Sequence, residues 1–229
     1  MLVSKFEHRY NTPELFHMEN NTNTEHTPDV DSAVVATPPK KEENFFFEII
    51  RFTLIALLIV IPIRIFIAQP FIVQGSSMDP TFATGQYLIV DQLTYRFEPV
   101  ARGDVIVFRY PKDPSKFFIK RVIAIPGDTL RIEGNKLSVF NETHPKGVLL
   151  EEPYVRTMRP DTVLTEKLGH HEYFVMGDNR DASSDSRMWG ILRDDLIVGR
   201  AFIRLLPLSD VGILPGKFTQ TALSTNPTQ

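Results

Sequence analysis

The sequence contains no cysteine, which excludes disulfides, thiolate metal sites and a cysteine nucleophile. It also lacks an excess of positive charge, because 25 Lys and Arg stand against 28 Asp and Glu and give a net charge of -3. A surface for nucleic acid is therefore not indicated. None of the six histidines lies in a serine-hydrolase signature and no Gly-x-Ser-x-Gly motif is present, so nothing favours a Ser-His-Asp triad.

Polar segments stand at both ends of the 229-residue chain. Residues 1–44 contain few apolar side chains and many turn-forming ones, so we predict a disordered N-terminal tail. A second polar tail is predicted for residues 209–229. The overall hydrophobic content of 42% is enough for a packed core between them.

An almost wholly apolar stretch follows the N-terminal tail, and we predict a single transmembrane anchor helix over residues 45–69. Its charges are Glu48, Arg51 and Arg64. The uncharged part, residues 52–63, is shorter than the roughly 20 residues that cross a bilayer, so these charges must lie near the ends of the span. A buried helix of a soluble domain is the alternative interpretation.

The residues around this stretch predict its orientation. Pro62 is expected to kink or end the helix. Lys40, Lys41 and Arg51 lie on its N-terminal side, which favours a cytoplasmic N-terminus and an extracytoplasmic domain after the helix. The predicted location is therefore the cell membrane, with a single pass and the lipid bilayer as a partner.

Residues 70–208 have the pattern of an all-β domain. Short runs rich in β-branched and aromatic residues are separated by Gly and Pro, as in residues 105–108 and 117–125. Residues 130–139 are typical of a hairpin with its turn at Gly134 and Asn135. We expect a barrel-like fold or two packed sheets.

A serine-containing turn, Gly75 to Thr81, follows the apolar stretch directly. Its Ser77 is a candidate nucleophile, but a serine hydroxyl needs a base before it can attack. A plain loop that joins the anchor to the domain explains the same residues.

Lys120 lies inside an otherwise apolar strand. Because side chains alternate along a strand, Phe118, Lys120 and Val122 share one face, and Ile119 and Arg121 share the other. A free lysine is protonated at neutral pH, since its pKa is about 10.4, but desolvation lowers that pKa and makes a general base possible. A solvated lysine on an outer face is the alternative.

A dense polar segment runs from Gly177 to Arg187. Its acidic residues do not have the spacing of an EF-hand loop, so no metal site is predicted and no cofactor is expected. The interleaved Asp and Arg residues favour a hydrogen-bonded network. A simple surface turn is the alternative.

Four segments, in this order, resemble the sequence boxes of the type I signal peptidases. They are residues 68–81, 102–108, 119–128 and 177–187. The resemblance implies a membrane-bound serine endopeptidase with a signal-peptidase-like, LexA-like β catalytic domain, in which about residues 129–170 form a reduced accessory β-ribbon. Its partners would be exported preproteins, whose signal peptides it cuts after small residues of the Ala-x-Ala type through an acyl-enzyme.

The resemblance also implies roles for individual residues. Ser77 would be the nucleophile and Lys120 the general base. Ser183 would hydrogen-bond the lysine and orient it, and Asp185 and Arg187 would form a supporting ion pair. The Ser77 amide would be one donor to the oxyanion.

Two positions depart from the family pattern. Some relatives have a serine two positions before the nucleophile, where this chain has Gly75, so Ser76, another backbone amide or water would have to supply the second oxyanion donor. The next position agrees with the family pattern, since Met78 directly follows the nucleophile. Phe118 stands where some relatives have tyrosine, which removes a hydroxyl but keeps the region apolar.

The substrate is expected to lie extended and to pair with strand backbone near residues 71–75 and 116–118. Small apolar pockets would accept the residues one and three positions before the cut. The residues predicted to contact the substrate are Phe71, Val73, Gln74, Phe118 and Ile119.

Three other functions fit parts of this pattern. LexA-type repressors use a Ser–Lys pair but carry a DNA-binding domain, and no helix-turn-helix candidate precedes the β domain here. A conjugative-transfer-type peptidase with similar boxes would differ in its narrower substrate. A non-catalytic, membrane-tethered β domain that binds extended peptides would not need Ser77 or Lys120.

Overall fold

A computed structural model describes residues 2–5, 45–62, 68–156 and 162–220. These residues are mainly β, as predicted. Thirteen strands are found in the described ranges: β1 Leu2–Lys5, β2 Ala68–Gln74, β3 Tyr87–Asp91, β4 Val105–Tyr110, β5 Asp113–Ala124, β6 Thr129–Glu133, β7 Lys136–Phe140, β8 Val148–Leu149, β9 Val163–Lys167, β10 Glu172–Met176, β11 Leu192–Arg193, β12 Ile197–Leu206 and β13 Gly212–Ile213.

Two α-helices accompany the strands in these ranges, α1 (Phe45–Pro62) and the single turn α2 (Ser186–Trp189). The last described residue of α1 is Pro62, and residues 63–67, on which the expected kink or stop depends, lie outside the described part. The predicted anchor over residues 45–69 extends too far, because Ala68 and Gln69 begin strand β2. There they pair with Asp91 and Val90 of β3. Among the residues that the structure describes, no helix is both long enough and apolar enough to cross a membrane.

Six strands close into a ring in the order β1, β2, β3, β12, β4, β5, and β5 pairs again with β1. All of these neighbours are antiparallel. Because successive side chains point to opposite faces of a strand, every second residue faces the inside of the ring. A buried cluster fills it: Phe71, Val73, Met78, Phe82, Leu88, Val90, Val105, Val107, Ile119 and Ala201. The barrel-like fold expected from the sequence is present.

The N-terminal strand β1 differs from the disordered tail predicted for residues 1–44. Leu2–Lys5 lie between β2 and β5, whose facing edges would otherwise carry unpaired backbone groups. This arrangement puts the N-terminal strand in the same sheet as the β domain, so it differs from the predicted placement on opposite sides of a membrane. The rest of the predicted tail lies outside the described residues.

A second sheet, in the order β8-β7-β6-β9, occupies the region of the predicted accessory ribbon. The predicted hairpin is confirmed, since β6 and β7 pair with their turn at Gly134 and Asn135. The sheet has four strands and is larger than a simple ribbon. Its buried side chains pack with the ends of β5 and β10 in one cluster: Ile123, Ala124, Leu130, Ile132, Leu137, Val139, Leu150, Leu168, Phe174 and Met176.

The C-terminal tail predicted from residue 209 begins too early. Strand β13 pairs with β12, with Ile213 opposite Ile203. Further along, the Gln220 side chain accepts a hydrogen bond from the Glu151 amide at 3.0 Å and donates one to the Glu151 carbonyl at 2.7 Å. Polar contacts rather than an apolar run hold this segment, which is why its composition did not indicate it. Residues 221–229 lie outside the described part.

Candidate active site

Ser77 and Lys120 meet where the turn after β2 reaches strand β5. The Lys120 Nζ atom donates a hydrogen bond to Ser77 Oγ at 2.8 Å and another to the Ile119 carbonyl at 2.9 Å. Both residues are buried, with exposed fractions of 2% for Ser77 and 0% for Lys120. A hydroxyl and an amine in direct contact, shielded from water, form a possible nucleophile and base.

The turn that carries Ser77 is held by its neighbours. Gly75, directly after β2, has a φ of 90°, a conformation that side chains other than hydrogen disfavour. Thr84 fixes this residue on both sides, since its Oγ1 accepts from the Gly75 amide at 3.0 Å and donates to the Gly75 carbonyl at 2.9 Å. Met78 is fully buried in the barrel core and anchors the chain directly after the serine.

Side chains on strand β5 around Lys120 alternate between the two faces of the strand, as the sequence predicts. Phe118 and Val122 belong to the cluster outside the ring, whereas Ile119 belongs to the barrel interior. Lys120 Nζ lies 5.2 Å from the centroid of the Phe118 ring. The lysine amine is therefore in a largely apolar setting, with Ser77 Oγ and the Ile119 carbonyl among its hydrogen-bond partners.

Burial lowers the pKa of Lys120 to about 8, because the ammonium form loses its hydration. The Asp185 carboxylate opposes this effect and raises that pKa. A substantial fraction of the lysine is therefore neutral near pH 8, as a general base requires.

Asp185 and Arg187 form a buried ion pair with two contacts, Nε to Oδ1 at 2.8 Å and Nη2 to Oδ2 at 2.9 Å. Asp185 Oδ2 also accepts from the Gly177 amide at 3.1 Å. Burial alone would raise the pKa of Asp185, but hydrogen bonds and charge from Arg187, with a smaller contribution from the Gly177 amide, hold that pKa below its ordinary value. The carboxylate thus remains charged beside Lys120.

Ser183 does not make the hydrogen bond to Lys120 that the resemblance implied. Its side chain is buried, but among the described residues its Oγ has no partner with hydrogen-bond geometry. Lys120 Nζ donates to the carbonyl of the preceding residue, Ile119. Ser183 packs against Gly177, where an added Cβ would lie 2.3 Å from Ser183 Oγ and 2.3 Å from the Ser77 carbonyl oxygen.

Asn179 is a site residue that the sequence did not single out. Its Nδ2 donates to the Ser76 carbonyl at 3.1 Å, and its backbone amide donates to the Ser77 carbonyl at 3.0 Å. Both bonds fix the peptide units around the serine. The only sequence signal was the position of Asn179 inside the polar segment.

A second buried ion pair lies on the opposite face of β5 from Lys120. Arg121 donates to the two oxygens of Asp178 at 2.8 Å and 2.6 Å. Thr81 Oγ1 also donates to Asp178. This network ties the turn after Ser77 to strand β5 and to the segment of Asp178.

The five residues predicted to contact the substrate differ in whether their side chains are buried or exposed. Phe71, Val73 and Ile119 have buried side chains in the barrel interior, and Phe118 stacks on Tyr110 outside it. These four residues therefore serve the core through their side chains. The side chain of the fifth residue, Gln74, is exposed. The backbone of β2 and β5 at these positions pairs with β1.

The geometry narrows the choice of oxyanion donors. The Gly75 amide is engaged by Thr84 Oγ1 and is not available to a substrate carbonyl. Ser76 is exposed and remains a candidate for the second oxyanion donor. In the described ranges, no group of three or more acidic or histidine side chains could hold a metal ion.

Comparisons with known proteins place the chain in a family. The family model described as "Signal peptidase, peptidase S26" matches residues 46–206. The probable signal peptidase I-1 of Synechocystis sp. is 37% identical over 183 residues, which cover 77% of this chain and 90% of that protein. The probable signal peptidase I-2 of the same organism is 32% identical over 206 residues, with coverage of 86% and 91%. Signal peptidase I of Leptolyngbya laminosa is 33% identical over 195 residues, with coverage of 82% and 93%.

Proposed function

The chain belongs to the signal peptidase family, peptidase S26, and we propose that it removes signal peptides from exported preproteins with Ser77 as nucleophile and Lys120 as general base. The observation that carries this assignment of roles is the 2.8 Å contact between Lys120 Nζ and Ser77 Oγ, with both groups buried. The chain is a serine endopeptidase that needs no histidine, because burial lowers the pKa of Lys120 enough for part of the lysine to be neutral.

The reaction has two stages on this arrangement. Neutral Lys120 takes the proton of the Ser77 hydroxyl, and Ser77 Oγ bonds to the carbonyl carbon before the cut. The peptide C–N bond breaks, and the leaving amine receives the proton from Lys120. Lys120 then takes a proton from water, the hydroxide attacks the ester, and the signal peptide leaves with a carboxyl group while Ser77 regains its hydroxyl.

The Asp185–Arg187 pair has an electrostatic role in this scheme. A lone carboxylate near Lys120 would favour the ammonium form and hinder the base. Arg187 contacts both oxygens of Asp185 and thereby balances its charge. The pair thus holds the segment that begins at Gly177 close to Ser77. Because the charge of Asp185 is balanced, part of Lys120 stays neutral.

The substrate is proposed to enter as an extended strand between β2 and β5. The pairing of Leu2–Lys5 with both strands supports this, because the space between them accommodates one extended chain. Small residues of the Ala-x-Ala type would lie one and three positions before the cut. The Ser77 amide is the proposed oxyanion donor, and Ser76 is the candidate for the second.

Helix α1 is proposed to attach the enzyme to the cell membrane, with the catalytic domain outside the cytoplasm. Its large apolar side chains are solvent-exposed, for example Phe46 at 79%, Phe52 at 78% and Leu58 at 76%, and a helix that is apolar all round normally lies buried. Attachment would raise the effective concentration of membrane-borne preproteins. A single pass with a cytoplasmic N-terminus would require Leu2–Lys5 to leave the sheet of the catalytic domain.

Cleavage of a purified preprotein tests the proposed function. Ser77→Ala and Lys120→Ala should each abolish release of the mature protein, whereas Lys136→Ala should leave it unchanged, because Lys136 is an exposed residue of the accessory sheet. Normal processing by either of the first two variants would refute the assignment. Carbonate extraction of cell membranes tests the location, and release of the full chain into the supernatant would argue against attachment.

A further inference from the structure

Residues 151–156, which we call the bridging segment, follow strand β8 of the second sheet. The Gln220 side chain fixes the start of this segment, because it bonds both the amide and the carbonyl of Glu151. The next residue, Glu152, reaches Arg180 in the polar segment that begins at Gly177. The bridging segment therefore connects the second sheet to the candidate active site.

Glu152 and Arg180 form a buried pair in which both carboxylate oxygens take part. Arg180 Nη1 donates to Glu152 Oε2 at 2.8 Å, and Arg180 Nη2 donates to Glu152 Oε1. The exposed fractions of the two side chains are 8% for Glu152 and 0% for Arg180. Two parallel contacts between a carboxylate and a guanidinium fix geometry as well as charge. Loss of one partner would leave the other charge buried without its counterpart, which is strongly unfavourable.

Arg180 in turn holds the polar segment at two points. Its Nε donates to the Gly177 carbonyl at 3.0 Å, and its own carbonyl accepts from Arg187 Nη2 at 2.7 Å. The residue before it, Asn179, donates its amide to the Ser77 carbonyl at 3.0 Å. A displacement of Arg180 would therefore reach the turn of the nucleophile through its neighbour Asn179.

Tyr154 contacts the site from the same segment. Its hydroxyl donates to Glu152 Oε1 at 3.1 Å, and its ring centroid lies 3.8 Å from Arg121 Cζ. Arg121 follows Lys120 in strand β5 and pairs with Asp178 of the polar segment. The bridging segment thus contacts one arginine of the polar segment and one arginine of the strand that carries the lysine.

We propose that Glu152 is a positioning residue for the peptidase reaction, which acts through Arg180 to hold the polar segment against Ser77. This inference rests on the proposed function, since it concerns the same catalytic pair. A misplacement of about 1 Å at reacting groups lowers a rate by roughly a hundredfold. The second sheet thereby contributes to catalysis, because it carries the bridging segment that holds Arg180.

Glu152→Gln tests this role with little change in shape, because it removes the charge and one acceptor oxygen. Steady-state kinetics on a peptide substrate should show kcat lowered at least about tenfold and KM changed by less than about twofold. KM is spared because the substrate is proposed to bind between β2 and β5, to which Glu152 does not belong. A role in folding alone would lower the Tm and leave the kcat of the folded enzyme unchanged.

Glu151→Gln is the matched control, because this neighbouring carboxylate is exposed and Glu151 is held through its backbone. It should leave kcat and KM unchanged. Arg180→Gln should lower kcat as well, and the double variant should fall no further than Arg180→Gln alone, since Glu152 acts through Arg180. Fold losses that multiply in the double variant would overturn the inference.

Tyr154→Phe is a milder second variant, because it keeps the ring on Arg121 and removes only the hydroxyl that donates to Glu152. It should lower kcat about twofold or more without a change in KM. Thermal unfolding establishes which variants are folded at the assay temperature. An unchanged kcat in the folded variants among Glu152→Gln and Tyr154→Phe would overturn the positioning role.

Labelling of Ser77 by an acylating, serine-directed probe separates this inference from the proposed function, because the probe requires no signal peptide. Slower labelling of Glu152→Gln, combined with no preprotein cleavage by the parent chain, would support the positioning role and refute the proposed substrate alone. Preprotein cleavage by the parent, combined with equal kcat and equal labelling rates in Glu152→Gln, would refute the positioning role alone.

Discussion

The Asn179 amide donates a hydrogen bond to the Ser77 carbonyl at 3.0 Å, while the Asn179 side chain holds the Ser76 carbonyl at 3.1 Å. Two consecutive peptide units at the nucleophile are thus fixed by one residue of the polar segment. These contacts make the polar segment part of the site, although they hold the backbone of the nucleophile turn and not its reacting hydroxyl.

Replacement of Asn179 by alanine removes the side-chain hydrogen bonds to the Ser76 carbonyl and from the Ala182 amide, and keeps the backbone bond to the Ser77 carbonyl. A hydrogen bond of this kind contributes about 1 kcal/mol, so we expect kcat to fall roughly fivefold to tenfold and Tm to fall by about 2–4 °C. Steady-state kinetics on a peptide substrate measures the effect. Asn135→Ala, in the turn of the accessory hairpin, is the control, and an equal loss in both variants would contradict a local role for Asn179.

Gly177→Ala should disrupt the site through crowding. The new Cβ would lie 2.3 Å from the Ser77 carbonyl oxygen and 2.3 Å from Ser183 Oγ, so the nucleophile turn must move. Such overpacking costs about 1–3 kcal/mol, and a displaced nucleophile lowers kcat by roughly a hundredfold. Denaturant unfolding and kcat are the measurements.

Gly212→Ala is the matched control for this substitution, because the nearest neighbour of its Cβ is a backbone oxygen at 3.9 Å. It should retain both stability and activity. Full activity of Gly177→Ala would mean that Ser77 does not need its present position.

The sequence indicated those features that depend on local patterns. Alternation along residues 117–125 placed Lys120 among apolar side chains, and the Gly134–Asn135 turn identified the accessory hairpin. The resemblance paired Ser77 with Lys120. Strand β1 could not be predicted in the same way, because its four residues find partners about 70 and 115 positions away and isolated short segments carry little periodic signal.

Other features escaped prediction because they depend on hydrogen bonds to backbone atoms. Asn179 and Gln220 act through carbonyl and amide groups, which any sequence provides. Ser183 shows the opposite limit, since the resemblance implied a hydrogen bond to Lys120, whereas Ser183 Oγ has no hydrogen-bond partner among the described residues. Long-range polar contacts such as those of Asn179 with Ser76 and of Gln220 with Glu151 become visible only in the folded chain.

The pH dependence of kcat/KM should follow the ionisation of Lys120. Only the neutral amine accepts a proton, and burial lowers the pKa of Lys120 to about 8. Below that pH the rate should rise about tenfold per pH unit and then level off above it. A profile that is flat from about pH 6 to about pH 9 would contradict a lysine base with this pKa.

Asp185→Asn should shift this profile toward lower pH. The Asp185 charge raises the pKa of Lys120, so its removal lowers that pKa, and the unbalanced charge of Arg187 acts in the same direction. The maximal rate should also fall, because the ion pair that holds the segment is lost. The pH at half-maximal kcat/KM is the measurement, and an unchanged or higher value would contradict the electrostatic role of Asp185.

Covalent trapping of the acyl-enzyme tests the Ser77–Lys120 assignment most directly. The folded chain is treated with an acylating, serine-directed probe, and the modified residue is located by peptide mass spectrometry. The account predicts a single adduct on Ser77, no adduct in Ser77→Ala, and labelling of Lys120→Ala slowed at least about a hundredfold. An adduct on another residue, or labelling of Lys120→Ala at the normal rate, would contradict it.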